Sequence, residues 1–176
     1  MSTAEQDLDA DLPHVSTGHL PTPERVQALV TEAHERYRSI AEGKNSEVYP
    51  ALARVASELF GICVVGTSGN VYAIGDAGHE FSIMSVSKPF VFALVCQALG
   101  HEEARRRLGV NATGLAFNSL GAIERSADGR TNPMVNSGAI ATTSLVPGAT
   151  SEARWRFIHD SLSRFAGRTL PLNEEV

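Results

Sequence analysis

Lysine is scarce in this chain of 176 residues, and acidic residues outnumber basic ones. Lys44 and Lys88 are the only lysines, and the formal net charge is −5. Binding to nucleic acid or to an anionic membrane surface needs clustered basic side chains that neutralise phosphate. We therefore predict neither a nucleic-acid partner nor a membrane partner.

Cysteine is also rare, and neither the cysteines nor the histidines have the spacing of a metal or redox site. Cys63 and Cys96 each stand alone inside an apolar run, so we predict buried free thiols. No histidines follow a metal-ligand pattern such as H-E-x-x-H, which favours packing or surface roles. We predict no metal ion.

The N-terminus lacks the basic segment and apolar core of a signal peptide, so export is not expected and a cytoplasmic location is predicted. The longest apolar run, residues 90–99, is shorter than the roughly 20 residues that span a bilayer. Residues 1–21 have no apolar period and contain prolines, and they are predicted to form a flexible leader.

The first predicted helix has clear start and stop signals. Thr22 is a typical N-cap and Pro23 a typical first helical residue. The apolar period then continues to Ile40, and Gly43 is expected to end the helix.

The elements after this helix predict an α/β (α+β) domain. Residues 60–65 and 71–74 flank a turn rich in Gly and Asn, which indicates a β-hairpin. The further expected elements are a short strand or turn over 80–84, an apolar helix over 89–99, a charged helix over 101–108, a loop over 110–119 and more helices. The last of these helices is expected to bury one face, comprising Trp155, Ile158, Leu162 and Phe165.

The motif Ser85-Val86-Ser87-Lys88 is an S-x-x-K at the predicted opening of the apolar helix. Residues three apart share a helix face, so the Lys88 amine can reach the Ser85 hydroxyl. Packing of Lys88 against residues 90–92 would favour the neutral amine, which can accept the serine proton. The Ser85 backbone N–H at the helix start could also stabilise an oxyanion. A solvent-facing serine and lysine is the competing interpretation, and these residues leave both open.

Asn136 interrupts a small, apolar segment that extends from Asn132 to Ile140. If buried, this asparagine needs hydrogen-bond partners. It either caps a helix or satisfies nearby backbone, or it presents its amide to a ligand in a cleft. The residues alone do not separate these alternatives.

Three segments resemble signature blocks of the glutaminase family. In chain order they are F-S-I-M-S-V-S-K-P, T-G-L-A-F-N-S and N-P-M-V-N-S-G-A-I. The resemblance implies a fold similar to serine β-lactamases and transpeptidases, with a helical subdomain beside an antiparallel sheet. Residues 22–176 would be the N-terminal part of a single domain whose sheet is incomplete here, because family members continue well beyond this length.

The resemblance also implies the chemistry, which is hydrolysis of L-glutamine to L-glutamate and ammonia through a serine acyl-enzyme without a cofactor. Ser85 would be the nucleophile and would contact the substrate, Lys88 would be its base, and Asn136 would bind the amino-acid end of glutamine. Tyr49 is shifted by one position from the family's aromatic residue. It either supplies a substrate-contacting hydroxyl or packs its ring against Leu52.

Further expectations follow from the resemblance and from the length. Asn118, in the second block, is assigned to loop structure rather than to substrate binding. A homotetramer is implied by the family. Because a two-stranded hairpin is marginal by itself, the chain alone is expected to be poorly active or inactive. The alternatives are a serine hydrolase of the same fold that acts on β-lactams or peptides, and a non-catalytic remnant or interaction module.

Overall fold

The computed structural model describes residues 21–176, which form two compact units divided between residues 80 and 81. The predicted leader therefore lies outside the described residues, apart from position 21. No helix within residues 21–176 is both long and apolar enough to cross a membrane. The elements are α1 (Pro23–Tyr37), α2 (Pro50–Ala53), β1 (Gly61–Val65), β2 (Val71–Gly75), α3 (Ser87–Leu99), α4 (His101–Arg107), α5 (Gly121–Glu124), α6 (Asn136–Ser144) and α7 (Ser151–Ala166).

The first unit packs α1 against the β-hairpin. The predicted hairpin is confirmed: β1 and β2 are antiparallel, with Val65 opposite Val71 and Gly61 opposite Gly75. At its base, Gly75 has φ +66°, and a Cβ there would clash with the His34 ring. A glycine is therefore required where α1 crosses the hairpin.

The start of α1 is as predicted, whereas its end is not. The Thr22 hydroxyl accepts a hydrogen bond from the Arg25 N–H at 3.3 Å, and Pro23 is the first helical residue. The helix ends at Tyr37 rather than near Gly43, and Ile40 is 59% exposed. Helices are stabilised mainly by packing of their apolar face. Because Ile40 is not buried, it adds no packing that would extend the helix, and the apolar period of the sequence runs past the helix end.

The core of the second unit surrounds α3. The buried residues of this core come from four segments and are Val91, Val95, Ala104, Val146 and Ile158. The predicted helix end at Gly100 is confirmed, because this residue caps α3 with φ +83°. The short charged helix is confirmed as α4, and no regular element occurs over residues 109–119.

The buried face of α7 differs from the predicted one. Ile158 is buried, but Trp155 and Phe165 are 53% and 55% exposed. The buried face instead includes Ser161, which is 2% exposed, flanked by the partly buried Leu162. Two adjacent stripes of residues along α7 both have the helical period. The stripe that contains the small residue Ser161 is the one that is buried.

The two cysteines are free, as predicted, but only one faces the core. Cys96 packs beside the core of the second unit, and burial raises the pKa of its thiol. Cys63 is exposed on β1, so the prediction of burial is wrong for it. Residues 80–83 adopt no regular structure and Met84 begins a 3₁₀ turn, so the strand alternative is wrong there.

Candidate active site

Ser85 lies in a 3₁₀ turn, Met84–Val86, that leads directly into α3. Met84 has φ +43°, a left-handed conformation that is uncommon for residues with side chains. Such conformations are found at active sites, where the surrounding structure holds them in place. Because residues three apart in a helical turn lie on one face, Ser85 and Lys88 project from the same side of this segment.

The two serines of the motif have different surroundings. The Ser87 hydroxyl donates a hydrogen bond to the Met84 carbonyl at 2.7 Å and so helps to hold the turn. Ser85 is exposed, and its hydroxyl makes no hydrogen bond to any residue in the described part of the chain. Ser85 is therefore the serine of the motif whose hydroxyl is unpaired within residues 21–176.

A cavity of about 220 Å³ lies between the start of α3 and α6. Four of the residues that line it carry hydroxyl groups, namely Ser85, Ser87, Thr142 and Thr143. Thr142 donates to the Gly138 carbonyl at 2.7 Å, and Thr143 donates to the Ala139 carbonyl at 2.9 Å. Since Ser87 is also engaged, the Ser85 hydroxyl is the one lining hydroxyl without a hydrogen-bond partner among residues 21–176.

The Lys88 amine lines the same cavity and is held by α6 and the turn before it. It donates to Asn136 Oδ1 at 2.7 Å and to the Met134 carbonyl at 3.4 Å. The Phe117 ring centroid lies 5.6 Å from Nζ. The sequence predicted an apolar environment from residues 90–92, whereas the contacts of the amine are two oxygens and one aromatic ring. No direct hydrogen bond joins Lys88 to Ser85.

Asn136 is the first residue of α6, and it is exposed rather than buried. A protonated lysine can only donate, so the atom that faces the Lys88 ammonium is the amide oxygen. The Asn136 Nδ2 group makes no hydrogen bond to any residue in the described range, which leaves two N–H donors on the amide whose oxygen contacts Lys88. The Asn136 backbone N–H donates to the Phe117 carbonyl at 2.8 Å.

The turn before α6 is fixed by Asn132, which sequence reasoning missed. Its Nδ2 donates to the Asn111 carbonyl at 2.8 Å, and its Oδ1 accepts from the Met134 N–H at 2.8 Å. These bonds set the direction of the Met134 carbonyl that contacts Lys88. An asparagine followed by proline is a common turn signal, so the sequence contained the cue.

Gly138 allows this turn to approach α6 closely. It is buried, and a Cβ at this position would overlap the Asn132 carbonyl. We expect Gly138→Ala to lower the free energy of unfolding by about 1–3 kcal/mol, because the backbone must move to relieve the overlap. Urea unfolding measures this change. Gly78→Ala is the matched control, since nothing lies within 4 Å of its added Cβ; equal losses in both variants would contradict the expectation.

Phe117 connects the loop over 110–119 to this site through its carbonyl and its ring. Sequence reasoning missed Phe117, although the T-G-L-A-F-N-S segment contains it. The neighbouring Asn118 is exposed and makes no hydrogen bond within the described residues. Its assignment to loop structure stays a prediction.

Tyr49 belongs to the first unit, where it precedes α2 as the N-cap residue. Its carbonyl accepts a hydrogen bond from the Leu52 N–H at 2.9 Å. The side chain is partly exposed. Its predicted contact with substrate stays a prediction.

Comparison with known proteins identifies similar sequences over most of the chain. The glutaminase family profile matches residues 43–176. Glutaminase 2 of Yersinia pestis is 68% identical over 163 residues, which cover 93% of this chain and 48% of that protein. A glutaminase of Mycobacterium ulcerans is 45% identical over 152 residues, covering 86% of this chain and 48% of that protein. The chain thus spans about half the length of these relatives.

Solved structures agree with the sequence comparisons. The probable glutaminase ybaS has a TM-score of 0.82 at 35% identity, and the match covers 89% of this chain and 50% of that one. A probable glutaminase from Bacillus subtilis complexed with 6-diazo-5-oxo-L-norleucine has a TM-score of 0.69 at 25% identity, covering 94% and 48%. These neighbours have the β-lactamase-like fold, which confirms the predicted fold class, including its incomplete sheet.

Proposed function

Because the chain belongs to the glutaminase family, we propose that Ser85 and Lys88 form the catalytic pair of a glutaminase. The reaction is hydrolysis of the side-chain amide of L-glutamine to L-glutamate and ammonia. One observation carries the assignment of the nucleophile: of the four hydroxyl-bearing residues that line the cavity, Ser85 is the one whose hydroxyl has no hydrogen-bond partner within residues 21–176. The cavity volume of about 220 Å³ is below the roughly 300–1,000 Å³ of pockets for larger ligands, which suits an amino-acid-sized substrate.

In the first step, Ser85 Oγ attacks the carboxamide carbon of glutamine, and its proton passes to Lys88 Nζ. A neutral lysine has two N–H bonds and one lone pair. Asn136 Oδ1 and the Met134 carbonyl are placed to accept hydrogen bonds from the two N–H groups of this amine. The lone pair then remains available to accept the serine proton. This division of roles supports Lys88 as the base.

In the following steps, the C–N bond breaks and ammonia leaves with the proton that Lys88 returns. Water then attacks the glutamyl ester, Lys88 again takes a proton, and Ser85 regains its hydrogen as glutamate departs. The Ser85 backbone N–H, at the start of the helical segment, would donate to the oxyanion. The scheme needs no metal ion or cofactor.

Asn136 is proposed to bind the amino-acid end of glutamine through its free Nδ2 group. Asn136→Asp keeps an oxygen for Lys88 but replaces the donor with a negative charge. We expect the dissociation constant for glutamine to rise about ten- to a hundredfold, because a hydrogen bond to a charged group contributes about 1.5–3 kcal/mol. Isothermal titration calorimetry measures it.

Asn118→Asp is the matched control for Asn136→Asp, because it adds the same charge at an exposed position in the loop that contacts the start of α6. It should bind glutamine as the unchanged chain does. If both variants weaken binding equally, the effect is one of general charge, and Asn136 has no specific contact with substrate.

Several finer points follow from the family and are proposals of the same kind. Tyr49 would contact the substrate through its hydroxyl, the chain would form a homotetramer, and its location would be cytoplasmic. Alone, the chain is expected to turn over glutamine slowly, because a two-stranded hairpin is marginal without further strands. Light scattering tests the assembly.

The test of the proposed function is a direct measurement of products. Glutamine incubated with the purified chain should yield glutamate and ammonia in equal amounts, at a rate proportional to protein concentration. Covalent labelling of Ser85 by penicillin without any ammonia release would favour a β-lactam-acting hydrolase instead. A folded chain that neither binds glutamine nor releases ammonia would favour a non-catalytic module.

A further inference from the structure

Phe117 contacts both Lys88, the proposed base, and Asn136, whose side chain accepts a hydrogen bond from that lysine. Its carbonyl accepts the Asn136 backbone N–H at 2.8 Å, and its ring centroid is 5.6 Å from Lys88 Nζ. Lys88 in turn donates to Asn136 Oδ1 at 2.7 Å. The three residues therefore form a closed set of contacts, in which each contacts the other two.

These contacts restrict a side chain that would otherwise be mobile. Lysine has a flexible four-carbon stem, and hydrogen bonds on one side of the amine still allow it to swing. An aromatic face within about 6 Å attracts the ammonium that forms as Lys88 takes the serine proton, and the ring also occupies space beside the amine. In residues 21–176, Phe117 is the one aromatic side chain with such a contact to Lys88.

Burial does not explain why a phenylalanine occupies this position. Phe117 is 59% exposed and is not part of the hydrophobic core. Its location is fixed instead by the backbone hydrogen bond between its carbonyl and the N–H of Asn136, the first residue of α6. The contact with Lys88 is thus a direct consequence of how the loop over 110–119 joins the site.

We propose that Phe117 is a positioning residue, whose ring holds the Lys88 amine beside Asn136 in the orientation that takes the proton of Ser85. Its catalytic consequence rests on the proposed function, whereas the contact itself does not. The ring acts on the reaction only through the Lys88 side chain.

The contact can be tested without any enzymatic activity, because the chain has only two lysines. Lysine labelled with ¹³C at Cε gives one NMR signal for Lys88 and one for Lys44, which serves as the internal reference. An aromatic ring shifts the signals of nearby nuclei. The Lys88 signal should therefore move in Phe117→Leu, which loses the ring, and remain close to its original position in Phe117→Tyr, which keeps it.

Phe165→Leu is the matched control, since Phe165 is 55% exposed compared with 59% for Phe117. Its ring contacts Phe90 and makes no ring contact with Lys88. The Lys88 signal should not move in this variant. An unmoved Lys88 signal in Phe117→Leu, or a loss of helix signal in its circular dichroism spectrum, would overturn the inference.

The catalytic consequence is measured with 6-diazo-5-oxo-L-norleucine, a glutamine analogue whose diazoketone group alkylates nucleophilic side chains with loss of N₂. The quantity measured is the rate at which it labels Ser85. A cation–aromatic contact at an exposed site corresponds to about a two- to fivefold change in rate. Phe117→Leu should be slower by about this factor, and Phe117→Tyr should recover the original rate. An equal rate in Phe117→Leu would contradict the positioning role. Failure of the unchanged chain to react at Ser85 would instead contradict the proposed function.

Discussion

Ser85→Ala should abolish covalent labelling by 6-diazo-5-oxo-L-norleucine at the active site and eliminate ammonia release from glutamine. Among the cavity-lining residues, Ser85 has the one hydroxyl that makes no hydrogen bond within the described part of the chain, and the substitution removes it. Loss of a nucleophile in a serine hydrolase costs about 10⁴-fold or more in rate, which leaves no measurable turnover here. Labelling is the more sensitive readout for a slow chain, because the adduct accumulates with time.

Ser87→Ala is the matched control, two residues away in the same motif. It removes the hydrogen bond to the Met84 carbonyl, so it should lower the free energy of unfolding by about 1 kcal/mol. Labelling should persist, because Ser85 keeps its hydroxyl. If Ser87→Ala loses labelling and Ser85→Ala keeps it, the nucleophile has been assigned to the wrong serine.

Lys88→Arg should slow labelling of Ser85 by about 10²- to 10⁴-fold, the usual contribution of a general base. Arginine carries the same charge and can donate to Asn136 Oδ1 and to the Met134 carbonyl. It stays protonated in proteins and so cannot accept a proton from Ser85. The variant therefore separates proton transfer from the structural contacts of the side chain, and intact-protein mass spectrometry over time measures the rate.

Lys44→Arg is the control for Lys88→Arg, because it makes the same change at the other lysine, which is exposed in the first unit. Its labelling rate should equal that of the unchanged chain. If Lys88→Arg labels Ser85 at the original rate, the amine does not serve as the base.

Short-range patterns were sufficient to predict most elements of the fold. The Thr22-Pro23 helix start depends on hydrogen bonds within one turn, and the hairpin depends on turn residues between two β-prone runs. The S-x-x-K motif is similarly local, because adjacent turns bring its serine and lysine to one face. Each of these features is decided by residues close together in the chain.

The residues that surround the Lys88 amine could not be predicted from short-range sequence patterns. Asn136 is 48 positions further along the chain, and a long-range side-chain contact leaves no periodic signal. The resemblance implied that Asn136 binds substrate, which stays a prediction, whereas its hydrogen bond to the lysine is a consequence of how α6 packs beside α3. The role of Phe117 depends on the same packing.

The incorrect details of the prediction have a common physical origin. Trp155 and Phe165 were expected to be buried because of their helical spacing, and Cys63 because it lies in an apolar run, yet all three are exposed. Ile40 has the spacing of the first helix but is also exposed. Spacing shows which residues share a face, but it does not show how far the neighbouring elements cover that face.

Locating the adduct of 6-diazo-5-oxo-L-norleucine by peptide mapping tests the central claim most directly. The expected result is a single modified residue, Ser85, with modification prevented by an excess of L-glutamine. Modification confined to Ser87 or to the exposed Cys63, or labelling that glutamine does not reduce, would contradict it.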